Sequence, residues 1–445
     1  MTHLEQALAL YQAGRYAEAL PAFRLAVKDD PLNPRVWYHA AITASELREF
    51  DFAISMLGAY TRFVPDDGKA QLNLGHALFA KGQYAESFAA YERAAALRPD
   101  SVKALLALGH LSRMLGRPAE AATHYARVLA IETTRPGDLR DRALVRLALG
   151  DHASGWREFE HRLEIRPADP FGAHWRPAPE QRWDGGPSPD RPVCLYNLRG
   201  HGDTILFCRY AARAAERAGA AVTLLVQPSL HRLVASLPGV GRVVAEPGEL
   251  PPDARCADMW SLPALLGADL LARTDTVPYL AADGAAAPAR GGPLRVGLAW
   301  AGHPDTLHDP DRSVPTLDRL APLFAVEGVE WLSLQVGARA ADAEGFPVGP
   351  ATPPPGDFAD SARLMCGLDL VITVDTAIAN LAGALGLGAW VLPPTYPEPR
   401  WGLDGERTTW YPTLRLFRRR ETGEWDGVAA RVAAALRDRV AARQH

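Results

Sequence analysis

Cysteine is scarce in this chain. Only Cys194, Cys208, Cys256 and Cys366 occur in 445 residues, far apart and with no Cys-x-x-Cys pair. That excludes a disulfide-built scaffold and a cysteine zinc cluster, and leaves small core side chains as their expected role. An excess of charge of one sign is also missing. The formal net charge is −4, so no global basic field exists to draw nucleic acid or an anionic membrane surface. No apolar run approaches bilayer length, and the opening MTHLEQALALYQAG has no basic stretch leading into an apolar core. No membrane span and a reducing cytoplasm are therefore expected. Lysine is rare as well, four against 44 arginines, a skew read as codon usage rather than function.

What is present is ample for folding. With 48% hydrophobic and 22% charged residues, the composition is that of a globular protein, and the length predicts two to four domains. A 34-residue period runs through the first third. Pro31, Pro65 and Pro99 lie on one grid, with Thr133 in the next slot and Pro167 after it. Gly14, Gly82, Gly116 and Gly150 lie on a second, where Arg48 fills the missing slot. Aromatic and large residues (Tyr16, Phe50, Tyr84; Phe23, Leu57, Tyr91, Tyr125, Phe159) and small ones (Ala19, Ala53, Ser87, Ala121, Gly155) complete the pattern. Such a unit reads as two helices: glycine turns the chain, the small residue admits a close helix crossing, and proline ends the second helix.

After residue 167 the texture changes. Residues 168–191, rich in Pro, Gly and Trp, read as a linker. Short apolar runs then alternate with helical stretches, the pattern of βαβ units and parallel sheets. Strands are expected at 192–198, 221–227 and 241–245, then, past a loop-rich joint at 281–293, at 294–302, 330–337, 368–375, 389–394 and 413–418. A closing Ala/Arg helix is expected near 425–442. Two open α/β halves place ligands at the carboxyl ends of their strands.

Four stretches could carry chemistry. In NLRGHGDTILF (197–207) a strand meets a helix through Gly200, His201, Gly202, Asp203 and Thr204. Turn geometry with Asp203 as helix cap explains it, as does a loop whose glycines admit a ligand beside a carboxylate. In DLVITVDTAIANLAGALG (369–386) a strand ends at Asp375-Thr376, where a helix begins. Its unpaired N–H groups suit a phosphate, although a plain N-cap needs the same residues. The polar loop GLAWAGHPDTLHDPDRSVP (297–315) holds His303, His308, Asp309, Asp311 and Arg312. Asp309 and Asp311 make a nominal metal pair of a kind common in turns. Arg312 can pair with phosphate oxygens or simply be a solvated cation. Last, PPTYPEPRWGLDGERTTWYPTLRLF (393–417) offers Tyr396, Trp401, Trp410 and Tyr411, for stacking on a sugar or for packing under a long loop.

The repeats, with LNLGHALFAKGQYAESFAAYERAAALRP (72–99) the fullest, resemble the tetratricopeptide family. The segments Gly202-Asp203-Thr204, VGLAWAG…DRS, SLQVG, DLVITVDT…LAGALG and WYPTLRLFR resemble heptosyltransferase-like (family 9 type) glycosyltransferases of GT-B fold. Together they resemble bacterial proteins that fuse such an array to such a domain. The resemblance implies an α-solenoid over 1–167 with a degenerate fifth repeat as cap and a linker at 168–191. Two Rossmann-like halves facing across a cleft then follow, at 192–290 (acceptor side) and 291–424 (donor side), with a terminal helix at 425–445. It implies an inverting transferase that uses a nucleotide sugar as substrate, with no cofactor and no metal.

Within that scheme Asp203 is the base, in an acceptor loop of Gly200, His201, Gly202 and Thr204. Arg312, Gln335, Asp375, Thr376 and Asn380 are donor contacts, and Trp401, Trp410 and Tyr411 are aromatic contacts. Asn380 stands where the family has histidine, a departure that leaves donor identity open, and His201 replaces a usually apolar residue. The implied acceptor is a protein gripped by the concave face of the array, flagellin among the candidates. A lipid or polysaccharide acceptor, or a catalytically silent nucleotide-binding scaffold, are the alternatives.

Overall fold

The structure, a computed structural model, describes residues 2–165, 175–272, 276–285, 288, 291–304, 309–396 and 398–443. Pro167 and His308, singled out above, lie outside them. The chain divides into two units, Met1–Thr134 and Arg135–His445.

The first unit is a run of antiparallel helix pairs: α1 (His3–Gln12) with α2 (Tyr16–Asp29), α3 (Pro34–Glu46) with α4 (Phe50–Phe63), α5 (Gly68–Ala80) with α6 (Tyr84–Leu97), and α7 (Val102–Met114) with α8 (Pro118–Ala130). The glycine grid marks the turns. Gly14, Gly82 and Gly116 have φ of 72°, 72° and 70°, a left-handed conformation that glycine adopts without strain. Arg48, in the empty slot, adopts it too, with φ 60°, the single positive-φ residue other than glycine among the described residues.

A further grid, not anticipated from the sequence, sets the helix starts. Asn33, Asp67 and Ser101 cap α3, α5 and α7, each side chain accepting from a first-turn N–H. Inside each pair a small residue faces a large one. A Cβ on Gly75 or Gly109 would enter the ring of Tyr91 or Tyr125. Ser87, fully buried, donates from Oγ to Gly75 O at 2.8 Å.

The second unit holds two parallel sheets. The first has the order β3 (Val240–Val244), β2 (Val222–Val226), β1 (Val193–Asn197), β4 (Arg255–Asp258). The second runs β10 (Leu414–Leu416), β9 (Ala389–Leu392), β8 (Leu370–Val374), β5 (Leu294–Ala299), β6 (Val329–Ser333), β7 (Val348–Gly349). Strand order reverses between β1 and β4 and again between β5 and β8, the switch points where open α/β sheets leave a crevice. β1 and β8 are buried at every residue, as continuous apolar runs in a parallel sheet should be. The terminal helix Trp425–Arg443 covers one face of the second sheet through Trp425, Val428, Val432 and Leu436.

The fifth helix pair, α9 (Pro136–Ala148) and α10 (His152–Phe159), belongs to the second unit, and that is where the structure departs from the boundary expected at 167. Trp156 explains why. Its ring meets Phe207 at 5.7 Å, Trp260 at 6.0 Å and Trp410 at 6.2 Å between centroids, and it is 1% exposed. α10 thus packs on residues from both α/β halves. Arg162, just beyond it, donates to Ser261 Oγ at 2.7 Å.

Candidate functional site

The strand β1 delivers the chain to the helix His201–Phe207, whose N-cap is Gly200. Asn197, at the strand end, donates from Nδ2 to Gly200 O (3.2 Å) and Thr204 Oγ1 (2.9 Å), and Thr204 donates to Gln227 Oε1 at 3.0 Å. Thr204 is fully buried. It therefore fixes the turn and is not an acceptor contact.

The two glycines are not there for left-handed backbone, since Gly200 sits at φ −72° and ψ 132°. They admit close approach, but by the protein's own atoms. A Cβ on Gly202 would come within 2.8 Å of Asn380 Nδ2 and 3.6 Å of Ala377 Cα. A Cβ on Gly200 would come within 2.8 Å of Asp203 Oδ2. The helix starting at His201 and the helix Ala377–Ala384 thus touch at their N-terminal ends. His201 packs on Phe358 with ring centroids 5.2 Å apart and planes tilted by 30°, and burial lowers its pKa, which gives this unexplained residue a packing role.

Asp203 does not cap its helix. Its Oδ1 accepts from Arg400 Nη2 at 2.7 Å, and its side chain remains 18% exposed. Arg400 also donates from Nε to Glu398 Oε1 (2.9 Å) and from Nη1 to Asn380 Oδ1 (3.5 Å). Burial opposes the charge on Arg400, but the carboxylates of Glu398, Asp203 and Asp375 override it and hold its pKa well above the ordinary value. Glu398 is pushed up by burial, an effect that Arg400 offsets and Asp375 reinforces. Asn380, 1% exposed, accepts from Tyr411 Oη at 3.1 Å and donates to Thr376 O at 3.1 Å. At this position an amide satisfies two donors and one acceptor at once. Sequence reasoning missed Arg400 and Glu398; the signal was two charged residues in the apolar, proline-rich run PPTYPEPRW.

At the second switch point Asp375, 5% exposed, directly follows β8, and Thr376 caps the helix Ala377–Ala384 by accepting from Ile378 N at 3.2 Å. Arg312 Nε lies 3.6 Å from Asp375 Oδ2, and that Nε is buried with no hydrogen-bond partner among the described residues. Gln335 is committed elsewhere. Its Oε1 accepts from Trp300 N (3.0 Å) and Ala301 N (2.9 Å) while Nε2 donates to Ala301 O (3.1 Å) and Val336 O. It braces the loop after β5 and has no group left for a donor.

Asp309 and Asp311 serve different partners. Asp309 accepts from Ser313 Oγ at 2.6 Å, whereas Asp311 accepts from Thr395, Thr422 and Tyr396 N and meets Arg419. They form no shared metal pair, and no cluster of three or more metal-ligating side chains occurs among the described residues. Trp401, Trp410 and Tyr411 are 1%, 2% and 0% exposed, so packing, not sugar stacking, is their role. Trp410 and Tyr411 frame Arg209, a buried cation that donates to Trp410 O at 3.3 Å and Tyr279 Oη at 3.1 Å.

Asp203 and Asn380 meet through Arg400, Arg312 and Asp375 form a pair, and Thr376 joins the two groups as helix cap and acceptor for Asn380. Gln335, Thr204 and the three aromatics stand apart from that arrangement as structural members.

Comparison with known proteins matches residues 10–75 to the family model described as tetratricopeptide repeat and residues 75–116 to that described as TPR repeat. The N-terminal part is a tetratricopeptide repeat array. Protein FlbA of Caulobacter vibrioides is 27% identical over 97% of this chain and 72% of its own length. Small glutamine-rich tetratricopeptide repeat-containing protein 2 of Mycosarcoma maydis is 33% identical over 18% of this chain and 22% of its own. Among solved structures, MamA is 21% identical over 36% of this chain and 92% of its own, with a TM-score of 0.30. TTC0263, a tetratricopeptide protein of Thermus thermophilus, is 23% identical over 38% and 91%, with a TM-score of 0.31. Among the described residues no helix is long and apolar enough to cross a membrane.

Proposed function

We propose that the second unit is an inverting glycosyltransferase that moves a sugar from a nucleotide-sugar donor to a hydroxyl acceptor, and that the tetratricopeptide array recruits a protein acceptor. The observation that carries this reading is the placement of Asp203. A partly exposed carboxylate lies at the carboxyl end of β1, against the start of the helix Ala377–Ala384, in an α/β unit with two switch points.

Asp203 Oδ2 takes the proton of the acceptor hydroxyl. The freed oxygen pair bonds to the anomeric carbon from the face opposite the nucleotide, and the bond from that carbon to the phosphate oxygen breaks. The nucleotide departs with the electron pair, and the proton passes from Asp203 to water. The guanidinium of Arg312, beside Asp375, and the positive dipole end of the helix Ala377–Ala384 offset the charge that builds on the leaving phosphate. In this reading no step requires a metal. An array that grips the acceptor protein raises its concentration at the transferase to roughly millimolar for a short tether. Flagellin is the acceptor to try first, on the strength of the family resemblance.

A panel of UDP-, GDP-, ADP- and CMP-sugars in a thermal-shift assay of the full chain tests the donor half of the proposal. A true donor present at 100 times its Kd adds about 2.7 kcal/mol to stability. A flat response across the panel would remove the nucleotide-sugar reading. The engagement of Asp203 Oδ1 by Arg400 favours one rival, a silent scaffold that binds nucleotide without turnover. That rival predicts the same thermal shifts but no release of free nucleotide.

A further inference from the structure

We propose that Arg400 is a positioning residue for Asp203, a role that rests on the transferase reading above. The carboxylate of Asp203 has two oxygens in different surroundings. Oδ1 accepts from Arg400 Nη2 at 2.7 Å. Oδ2 lies over Gly200, so near that any side chain there would collide with it at 2.8 Å. Oδ1 is thus the anchored oxygen and Oδ2 the working one.

Arg400 is itself fixed on every edge of its guanidinium. Nε donates to Glu398 at 2.9 Å and Nη1 to Asn380 at 3.5 Å, and the residue is 8% exposed. Asn380 in turn is held by Tyr411 Oη and by Thr376 O. A planar fork with three separate partners cannot rotate without breaking a charged hydrogen bond, and a carboxylate bound to it inherits that fixed orientation. Arg400 is too buried and too fully engaged to reach a substrate. It acts through Asp203 and spans from the second α/β half, which carries it on the loop after β9, to the first, which carries the base. A base aimed in this way needs both halves in register, so the arrangement links proton transfer to the closed relation of the two sheets.

The test uses the full chain and measures nucleotide release from whichever UDP-, GDP-, ADP- or CMP-sugar gives the largest thermal shift, with donor KM and kcat determined separately. Arg400→Gln removes the anchor and is expected to lower kcat about 10²-fold, the scale of a misaimed reacting group, with donor KM within twofold. Arg400→Lys, which keeps a charge but not the fork, should restore only part of that loss. Because Arg400→Gln leaves Glu398 and Asp203 without their partner and can fail to fold, Gly200→Ala serves as the second variant. It leaves Arg400 in place, pushes on Oδ2 and is expected to lower kcat about tenfold with donor KM again unchanged.

Asp203→Asn is run alongside. If it turns over like the parent chain, Asp203 is not the base and the positioning role of Arg400 falls with it, whereas a parent chain that releases no nucleotide from any of these sugars would sink the transferase reading itself. If Asp203→Asn is inactive while folded Arg400→Gln or Gly200→Ala keeps kcat within twofold, the positioning role falls and the base stands. A rise in donor KM with unchanged kcat in Arg400→Gln would also overturn it, because Arg400 would then be a donor contact.

Discussion

The fourth and fifth helix pairs keep one register and bury different things. In α7–α8, Gly109 admits the ring of Tyr125, and Ala122 faces solvent. Thirty-four residues on, Ala143 and Phe159 take the first two positions, and Ala122 is replaced by Trp156. That one exchange turns an outward helix face into a buried one. Trp156 meets Phe207, Trp260 and Trp410, and the fifth pair becomes part of the α/β unit. A repeat register fixes how two helices cross, but the residue on the outer face decides which body they join.

Truncation should expose this difference most strongly. A chain starting at residue 135 is expected to unfold cooperatively in urea, followed by tryptophan fluorescence. A chain starting at residue 168 should show no cooperative transition, because it loses Leu147, Trp156 and Phe159 from the shared core. Equal midpoints for the two would erase the distinction between the fourth and fifth pairs. Next in size, Trp156→Ala should lower the stability of the second unit by about 3–5 kcal/mol, read from its urea midpoint, and leave the transition of the first unit in place. Gly109→Ala is the converse, an overpacking of Tyr125 that should cost the first unit about 1–3 kcal/mol and spare the second. The smallest effect concerns Arg48, held at φ 60° where the grid elsewhere has glycine. Arg48→Gly should raise the thermal midpoint of the array, by about 0.5–1 kcal/mol in stability. A fall instead would show that its side chain matters more than its backbone.

Much of the fold was legible because it rests on periodicity. The 34-residue grids marked the helix turns in the first unit, and apolar runs marked eight of the ten strands, six within a residue or two and β5 and β6 with C-terminal ends set too late, at 302 and 337. The two that escaped, β4 and β7, are short or begin and end on charge, Arg255–Asp258 and Val348–Gly349, so no apolar run announces them. The candidate site was legible only in part. Asp203 stood out because a carboxylate beside two glycines at a strand end is unusual chemistry in a local window. Arg400 did not, because its meaning comes from a partner 197 residues away. Gln335 and the aromatics Trp401, Trp410 and Tyr411 misled for the opposite reason. Their functional groups look free in the sequence, and only tertiary packing shows them spent on Ala301 or sealed in the core.

The central claim is that Asp203 removes a proton from an acceptor hydroxyl during sugar transfer to a protein. Its most direct measurement is mass spectrometry of flagellin and the other cell proteins in a deletion strain complemented with either the parent chain or Asp203→Asn. The account predicts a sugar mass on hydroxyl-bearing residues with the parent chain, and its absence with Asp203→Asn at equal protein level and unchanged thermal midpoint. Full modification by Asp203→Asn, or a protein profile unaltered by the deletion, would contradict it.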